Sequence, residues 1–557
     1  MSGNQGYWNF ISRVDDICKQ YSEKVAIVYM RNDGSKTNFT FREIKDSVLK
    51  AKALFERVGL QNGDRVSIIA PHSPFAIMAG LSLAYSNLTS VLIDASLPKE
   101  EVNRLLKFSD VRAVFTTPSL ISSINSALIA DIPVFNILSF EKSLTLFDDS
   151  VKSVSKSKTI DPHDDVIAIF YSSGTTTAMK GIMTTYNTLN NANKLYFINS
   201  GLKPDFETLL IFPFSHMAGY SIFKQYFLTG CKIGMIEDVD AQKIAKGLID
   251  FNPTTFGIVP RVYEVIENKI RQEIKNRGVK TENKVLRLLA FSGFLRKHFG
   301  INIGKRLFKS INHKVFGNKI FALGTGGSIC KESTSVFYQN LGLVWADFYA
   351  LSETFVPTIG TGTMDCYPIG TVGYVKRHPG IEVKISNPDE NGIGEIRIKT
   401  VLIMKGYFRD PELTAAAFDE DGYFKTGDLG YIDKKDYLHV TGRIKEAIQL
   451  HTGKKVAPSD VDSLYSSICR PDVVLASCGV PNRDESYDEI HLFIEKGDQT
   501  LEEQDKIRKR ITEFSAQTST IYQIADIHFI DKLPTTSVGK VKRFKLKEIA
   551  LSECKIR

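Results

Sequence analysis

Short apolar runs alternate with helix-like patterns along the first third of the chain. The runs at 26–29, 65–70, 91–93 and 111–115 are rich in Val and Ile, a composition typical of buried strands. Residues 41–58 instead repeat their apolar positions at helical spacing. This alternation predicts α/β layering, in which helices cover a sheet.

The longest apolar stretch, residues 73–93, approaches the length of a membrane span. It contains Asn87 and Thr89, however, and Asp94 follows it at once. We therefore expect a buried helix followed by a buried strand.

A β-like region punctuated by glycine covers residues 370–440. Within it Asn391-Gly392 and Asp421-Gly422 are hairpin candidates, because glycine takes the positive φ that tight turns require. The pattern then returns to a compact α/β unit. The predicted fold class is α/β, with a large N-terminal domain of layered α/β subdomains and a β-rich section at residues 1–442, and a small α+β C-terminal domain at residues 443–557.

Composition restricts the class of protein. The 557 residues are 43% apolar and 24% charged, as in ordinary soluble globular proteins. The chain opens on MSGNQGYWNF, without the charged segment and apolar core of a secretory signal, so we expect a cytoplasmic location. Seven cysteines, odd in number and never in C-x-x-C spacing, argue against a disulfide framework and against a thiolate zinc site.

Positive charge is concentrated between residues 269 and 314. Thirteen Lys and Arg residues stand there against Glu273 and Glu282, a net charge of +11, whereas the whole chain carries +8. Leu, Ile and Phe residues lie between the charges, a composition suited to amphipathic helices on an anionic membrane surface. A solvated helical face that covers the core is the alternative. No recognisable nucleic-acid-binding module accompanies the segment, so nucleic acid is not an expected partner.

A loop of hydroxyl side chains follows the apolar run 166–170. Residues 171–181 read YSSGTTTAMKG. Hydroxyl groups and the backbone N–H groups around a glycine bind phosphate oxygens well, and a lysine adds positive charge. The candidate phosphate ligands are Ser172, Ser173, Gly174, Thr175, Thr176 and Lys180. A solvated Ser/Thr turn is the alternative, and the loop differs from a P-loop because Met179 stands where that pattern needs its second glycine.

The loop resembles the phosphate loop of the adenylate-forming enzymes, a superfamily of acyl-CoA synthetases, peptide-synthetase adenylation domains and beetle luciferases. Its usual form there is roughly (Y/F)-(T/S)-S-G-(T/S)-T-G-x-P-K-G, and in this chain Thr177 replaces a glycine and Met179 a proline. Further segments resemble motifs of the superfamily and follow in the same order. They are GTGGS at 324–328, DFYALSET at 347–354, YFKTGD at 423–428, GRIKE at 442–446 and PTTSVGKVKR at 534–543.

This resemblance implies how the chain holds its cofactors, ATP and Mg²⁺. The residues expected around the nucleotide, besides the phosphate loop, are Gly326, Gly327, Ser328, Tyr349, Asp428 and Arg443. Tyr349 is expected to stack on adenine, and the Asp428 carboxylate to accept both ribose hydroxyls. Glu353 and Thr176 are the expected oxygen ligands of Mg²⁺.

The resemblance also implies the catalytic residues. Lys540 matches the catalytic lysine of the superfamily, whose ammonium group can bind the attacking carboxylate and stabilise negative charge at the α-phosphorus. Ser352 and Glu353 complete the expected catalytic set. Lys445 matches the hinge about which a mobile C-terminal domain rotates between two half-reactions, and Gly453 lies in the loop expected at the CoA channel.

The segment FPFSHMAG at 212–219 occupies the position of the acyl-pocket motif. It lacks the aspartate with which amino-acid-activating domains hold an α-ammonium group, so an amino-acid substrate is disfavoured. His216 is either a gate of the acyl pocket or a packed histidine. Segments 259–264 and 450–458, together with the basic insert, most resemble the long-chain fatty acyl-CoA synthetase branch.

We therefore predict a fatty acid–CoA ligase that forms acyl-AMP from a medium- or long-chain acid and MgATP, releases pyrophosphate and transfers the acyl group to CoA. One alternative is a fatty acyl-AMP ligase that loads the phosphopantetheine of a carrier protein. A non-catalytic nucleotide- or lipid-binding regulator is another, motivated by Thr177, Met179 and Ala350, which replace residues of the family motifs. Peripheral membrane association through residues 269–314 would suit a substrate that partitions into lipid.

Overall fold

The computed structural model describes residues 9–138, 166–172, 179–199, 201–355, 359–360, 368–376, 380–452, 454–470, 473–482, 484–497, 499–536 and 539–554. Within these ranges the chain forms layered helices and sheets in a large N-terminal part and a smaller unit at the C-terminus. The predicted α/β fold class is confirmed.

Helices and strands alternate in the first 138 residues. In chain order they are α1 (Phe10–Gln20), β1 (Val25–Met30), β2 (Lys36–Thr40), α2 (Phe41–Arg57), β3 (Arg65–Ala70), α3 (Pro74–Tyr85), β4 (Thr89–Asp94), α4 (Lys99–Ser109), β5 (Ala113–Thr116), α5 (Pro118–Ile121), α6 (Ser126–Ile129) and β6 (Val134–Asn136). Thr40 and Glu43 fix the start of α2, because each side chain accepts a hydrogen bond from the backbone N–H of the other residue. The helix predicted at 41–58 is confirmed, and the strand predicted at 111–115 begins two residues later.

The apolar stretch at 73–93 forms α3 and β4, as predicted. Every residue of α3 except Tyr85 is buried, and so is every residue of β4 except Asp94. The stretch is therefore apolar because it lies inside the protein. Across the described residues, every helix is too short or too polar to cross a membrane.

The middle of the chain continues the alternation. Its elements are β7 (Val166–Ser172), β8 (Lys180–Thr185), α7 (Tyr186–Asn199), β9 (Glu207–Leu210), α8 (Met217–Phe227), β10 (Lys232–Ile236), α9 (Ala241–Phe251), β11 (Thr255–Gly257), α10 (Pro260–Asn276), α11 (Val279–Phe299), α12 (Gly304–Leu307), α13 (Lys309–Phe316), β12 (Ala322–Gly326), α14 (Glu332–Asn340), β13 (Val344–Tyr349) and β14 (Ile359–Gly360). The strand β12 begins at Ala322 and includes two glycines, Gly324 and Gly326. These glycines leave room for β13, since a Cβ atom on Gly326 would lie 2.7 Å from the carbonyl oxygen of Phe348.

The glycine-punctuated region forms an antiparallel five-stranded sheet, in the order β15-β20-β19-β17-β16. The elements there are β15 (Gly373–Tyr374), β16 (Ile381–Ser386), β17 (Gly394–Thr400), β18 (Gly406–Tyr407), α15 (Pro411–Ala416), β19 (Phe424–Ile432) and β20 (Tyr437–Arg443). The hairpin predicted at Asn391-Gly392 is confirmed, because it joins the paired strands β16 and β17. Asp421-Gly422 also forms a tight antiparallel turn, because Phe418 and Phe424 form a bridge across it and the Asp419 N–H donates to the Tyr423 carbonyl at 2.9 Å. Its first arm is a single bridging residue after α15, whereas its second arm begins β19.

Two mostly parallel sheets form the rest of the large part. One has the order β14-β13-β12-β11-β9-β10-β1-β2 and the other the order β18-β8-β7-β4-β3-β5-β6. The strand β7 runs directly into the phosphate loop, while β12 ends at Gly326 and β13 at Tyr349. Candidate site residues thus lie at the carboxyl ends of strands, where α/β sheets bind their ligands.

The C-terminal unit is a three-stranded sheet, β23-β24-β25, packed between helices. Its elements are β21 (Ile448–Gln449), β22 (Lys455–Val456), α16 (Pro458–Ile468), β23 (Leu475–Pro481), β24 (Asp488–Glu495), α17 (Leu501–Gln517), a 3₁₀ turn (Thr520–Tyr522), β25 (Asp526–Ile530) and α18 (Arg543–Cys554). The boundary between residues 442 and 443 stays a prediction; it falls at the end of β20, the last strand of the antiparallel sheet.

Candidate active site

Asp428 lies on β19 directly opposite Arg443 on β20, and both oxygens of its buried carboxylate are engaged. Tyr349 donates its hydroxyl to Oδ2 at 2.6 Å. Arg443 places Nε 2.8 Å from Oδ1. Burial raises the pKa of Asp428, and the charge of Arg443 and the Tyr349 hydroxyl oppose that rise. Three residues predicted around the nucleotide are therefore in direct contact.

The carboxylate of Glu353 lies close to the end of the phosphate loop. Tyr407 donates its hydroxyl to Glu353 Oε1 at 3.1 Å, and Lys180 holds Nζ 4.9 Å from the centre of the Tyr407 ring. Burial raises the pKa of Glu353, whereas this hydrogen bond and the charges of Arg443 and Lys180 oppose the rise. A buried carboxylate surrounded by donors and cations is suited to hold a divalent metal beside phosphate groups.

Lys540 reaches this region from the C-terminal unit. Its backbone N–H donates to the Thr536 side chain at 3.1 Å, and its carbonyl accepts from the Thr536 N–H at 2.8 Å. Gly539 completes the turn with a φ of +82°. Burial, followed by the charge of Arg443, lowers the pKa of Lys540, while Glu446 and Asp428 raise it.

A cavity of about 290 Å³ lies between the large part and the C-terminal unit. Among the residues that line it are Gly327, Ser328, Tyr349, Asp428, Arg443 and Lys540. The fold thus brings together residues from five of the sequence motifs across more than 200 positions of the chain. Positive charge from two of these side chains can meet phosphate oxygens there.

A second cavity, of about 280 Å³, lies among β9, α8, β11 and β12. Its wall is formed largely by apolar side chains, and His216, Gly326 and Ser352 contribute to it. Among the described residues that line this cavity, none is Asp, Glu, Lys or Arg. Such a cavity suits an uncharged, apolar group.

The two cavities share part of their walls. Gly327, Phe348, Ala350 and Leu351 line both of them. A ligand with an apolar tail in the second cavity can therefore place a polar end beside the first. This arrangement fits the joining of a carboxylate to a nucleotide phosphate.

A protein-family model described as "AMP-binding enzyme" matches residues 14–408. The chain belongs to this family. Relatives of the chain include "Long-chain-fatty-acid--CoA ligase FadD15" of Mycobacterium bovis, 28% identical over 461 residues, which are 78% of this chain and 74% of that protein. Another is "4-coumarate--CoA ligase 2" of Nicotiana tabacum, 26% identical over 554 residues, 95% and 92% of the two chains. The crystal structure of ATP-bound MatB from Rhodopseudomonas palustris has a similar fold, with a TM-score of 0.75, 22% identity and coverage of 98% and 99%.

Family membership confirms the resemblance drawn from the motifs. It also supports the predicted class of adenylate-forming CoA ligases, whose cofactors are ATP, Mg²⁺ and CoA as expected. The site of this AMP-binding enzyme fits these groups, since Glu353 offers an oxygen ligand to Mg²⁺ while Arg443 and Lys540 offer positive charge to phosphate. The individual roles assigned to the residues stay predictions.

Other predicted site residues lie outside the lining of the cavity that holds Asp428 and Lys540, or outside the described ranges. His216 caps α8, because its Nδ1 accepts the Ala218 N–H at 3.1 Å, and burial lowers the pKa of its ring. His216 also lines the apolar cavity, so its position is compatible with both predicted roles, a packed histidine and a gate of the acyl pocket. Lys445 is exposed in the turn between β20 and β21, and Ser172 ends β7. The residues outside the described ranges are Ser173, Gly174, Thr175, Thr176, Thr177 and Gly453.

Contacts of this AMP-binding enzyme also add residues to the predicted set. Tyr407 is not among the predicted site residues, yet it donates to Glu353. Thr426 orients the neighbouring turn, because its hydroxyl accepts the Asp428 N–H at 3.0 Å and donates to the Ile396 carbonyl at 2.5 Å. The partners Glu353 and Ile396 lie 54 and 30 residues away from Tyr407 and Thr426, so the sequence gives no sign of these pairs.

Proposed function

We propose that this AMP-binding enzyme activates a medium- or long-chain fatty acid to acyl-AMP, releases pyrophosphate, and then transfers the acyl group to CoA. The observation that carries the proposal is the apolar cavity that adjoins the cavity of Asp428, Arg443 and Lys540. The name of the FadD15 relative agrees with a fatty acid. Other relatives are named for 4-coumarate, so aryl acids are the main competing substrates.

The wall of the apolar cavity favours an alkyl chain over a charged acid. A second carboxylate or an α-ammonium group placed there would lose its hydration without gaining a charged partner, at a cost of several kcal/mol. Two hydroxyls of the wall are already paired with each other, because the hydroxyls of Tyr226 and Thr255 lie 2.6 Å apart. A hydroxylated ring would therefore compete with an existing hydrogen bond, whereas a methylene chain would not.

A screen of acids of graded length, with aryl acids and dicarboxylic acids included, tests the substrate. We expect ATP–pyrophosphate exchange to be strongest with fatty acids, and Ile222→Phe, which narrows the cavity from α8, to shift the preference to shorter chains. Ile249→Phe is the matched control, because Ile249 is exposed on α9. Preference for aryl acids in the unchanged enzyme would overturn the fatty-acid proposal.

The acceptor needs a separate experiment. We expect the enzyme to convert preformed acyl-AMP and free CoA to a thioester. A reaction that stops at acyl-AMP and proceeds only with a phosphopantetheine-bearing carrier protein would favour the fatty acyl-AMP ligase. ATP binding without pyrophosphate exchange for any acid would favour the non-catalytic regulator.

We also propose that residues 269–314 dock the enzyme on an anionic membrane surface. A solvent-facing ridge runs along α11 at spacings of three and four residues: Lys280, Lys284, Arg287, Phe291, Phe294 and His298. Phe291 is 52% exposed and Phe294 53%, although Leu289 and Ser292 of the same helix are buried. The helix therefore covers the core with one face and presents aromatic and basic groups on the other. Anionic headgroups complement these charges, and the interface accepts the rings.

Vesicle flotation tests this docking, with phosphatidylcholine vesicles that do or do not contain phosphatidylglycerol. Removal of the three charges by K280Q/K284Q/R287Q is expected to weaken binding about tenfold or more, since each basic residue near such a surface contributes roughly 1 kcal/mol. F291S/F294S should weaken it as well. The control is Leu501→Ser, because Leu501 is 79% exposed on α17. Equal binding of neutral and anionic vesicles would contradict the proposal.

A further inference from the structure

Two buried histidines and a carboxylate meet in the C-terminal unit, within its own sheet. His491 on β24 lies beside Asp526 on β25, and Phe493 lies beside His528. Side chains two residues apart on a strand point to the same face, so all three polar side chains lie on one side of the sheet. His491 and His528 are only 4% and 6% exposed. None of the three lines either cavity of the candidate active site.

The possible ligand atoms of this group lie close together. His491 Nδ1 lies 2.9 Å from His528 Nε2, and His528 Nε2 lies 3.9 Å from Asp526 Oδ2. One possible ligand atom from each of the three residues lies within 4.8 Å of the other two. Ligand atoms on a tetrahedral zinc ion, each roughly 2.1 Å from the metal, are about 3.4 Å apart. The observed separations lie on either side of that value, so small side-chain rotations suffice to match it.

Hydrogen bonds outside the group orient two of the three ligands. Glu553 on α18 accepts the Nδ1–H of His528 at 2.7 Å. A carboxylate partner of this kind leaves Nε2 of the neutral ring with its lone pair directed at the group. Asp526 Oδ1 accepts the Ile527 N–H at 2.7 Å, and Oδ2 is the oxygen that lies toward His528. The hydrogen bond between the two rings then uses the proton on His491 Nδ1, which points to the lone pair of His528 Nε2. A metal ion bound to both nitrogens can replace that proton.

We propose that His491, Asp526 and His528 bind a divalent first-row transition metal, with zinc as the fitting ion and water as a fourth ligand. Two imidazoles and one carboxylate suit such metals, whereas Mg²⁺ and Ca²⁺ prefer oxygen ligands alone. Through His528 and Glu553 the metal ties α18 to the sheet. Because α18 follows Lys540 by three residues, the metal stabilises the unit that carries this lysine, and it acts independently of the acid that the enzyme activates.

Zinc titration of the full-length, chelator-treated protein without nucleotide tests the site, with Co²⁺ absorption as a spectroscopic probe. We expect one saturable equivalent, and binding at least tenfold weaker in His491→Asn, in Asp526→Asn and in Glu553→Gln. His439→Asn is the matched control, because His439 Nε2 lies 3.3 Å from Asp433 in a similar pair outside the C-terminal unit. Binding by the control should equal that of the unchanged protein.

A second readout separates metal binding from a folding defect. Zinc should slow hydrogen exchange at the amides of β24 and β25 in the unchanged protein and in His439→Asn, but not in Asp526→Asn, whose partly exposed side chain makes it the mildest variant. Absence of saturable zinc binding to the unchanged protein, or equal binding to all variants, would show a hydrogen-bonded histidine pair without a metal and overturn the proposal.

Discussion

The hydroxyl of Tyr349 donates to Oδ2 of Asp428 at 2.6 Å, across 79 positions of sequence. Both residues are buried, and Arg443 engages the other carboxylate oxygen. The carboxylate is therefore fixed in direction before a nucleotide arrives. Fixed side chains lose less conformational entropy on binding, which favours affinity.

We expect Tyr349→Phe to weaken ATP use more than turnover. The change removes one hydrogen bond to a charged group, worth about 1.5–3 kcal/mol, so kcat/KM for ATP should fall about tenfold or more, mostly through KM. Pyrophosphate exchange at varied ATP concentrations measures it. Tyr423→Phe is the control, because Tyr423 donates to Glu382 at 2.8 Å on an exposed surface. An unchanged KM in Tyr349→Phe would show that the Asp428 carboxylate needs no orientation by tyrosine.

Lys540→Ala is expected to abolish adenylation and spare thioester formation. Lys540 lines the cavity with Asp428 and Arg443, where its charge can stabilise the transition state at phosphorus. Loss of that charge should lower pyrophosphate exchange at least a hundredfold. With preformed acyl-AMP and CoA, Lys540→Ala should form the thioester at a rate close to that of the unchanged enzyme. The control is Lys545→Ala, which removes an exposed lysine of α18 and should also react at a rate close to that of the unchanged enzyme. Equal loss in both half-reactions would contradict a division of labour between two domain positions.

The sequence predicts the elements whose signal is local. The helix α2 was predicted at 41–58 because its apolar positions repeat at helical spacing within the segment itself, and Gly392 marks a hairpin because only a tight turn separates its strands. The order of the strands within each sheet had no such local signal in the sequence. The strand β1 pairs with β10, so that Ile27 lies beside Ile233, and this partnership depends on packing across two hundred residues.

The same distinction applies to the site. Asp428 and Lys540 were predicted because each lies in a motif of a few consecutive residues, YFKTGD at 423–428 and PTTSVGKVKR at 534–543. Tyr407 was not predicted as a partner of Glu353, because 54 residues separate the two and a tyrosine after glycine has many structural uses. The three-dimensional contacts therefore add the residues that tune the motif side chains.

We expect Tyr407→Phe to make adenylation more sensitive to acid. Burial raises the pKa of Glu353, and the Tyr407 hydroxyl opposes that rise by bonding to the charged form. Without the hydroxyl the pKa of Glu353 rises further, so its carboxylate becomes protonated at a higher pH when the solution is acidified. The affinity of Glu353 for Mg²⁺ therefore begins to fall at that higher pH. The Mg²⁺ concentration for half-maximal exchange, measured between pH 5 and 8, should increase most at the acidic end. A pH profile that matches the unchanged enzyme would mean that Glu353 does not bind the metal.

Arg543→Gln is expected to loosen the C-terminal unit. The Arg543 guanidinium lies 2.7 Å from Asp462 on α16 and also donates to the Ser477 carbonyl on β23, so it joins both elements to the start of α18. Removal of one partner of a buried ion pair costs about 3–5 kcal/mol, because the other charge stays buried.

Hydrogen exchange measures this effect locally. Amides of β23 and α18 should exchange faster in Arg543→Gln, while those of the large part keep their rates; Arg510→Gln, which removes an exposed arginine of α17, is the control. Because Lys540 precedes Arg543 by three residues, adenylation should fall together with protection. Unchanged protection would show that the apolar contacts of Leu546 and Ala550, both buried against the sheet, are enough to hold α18 and position the lysine.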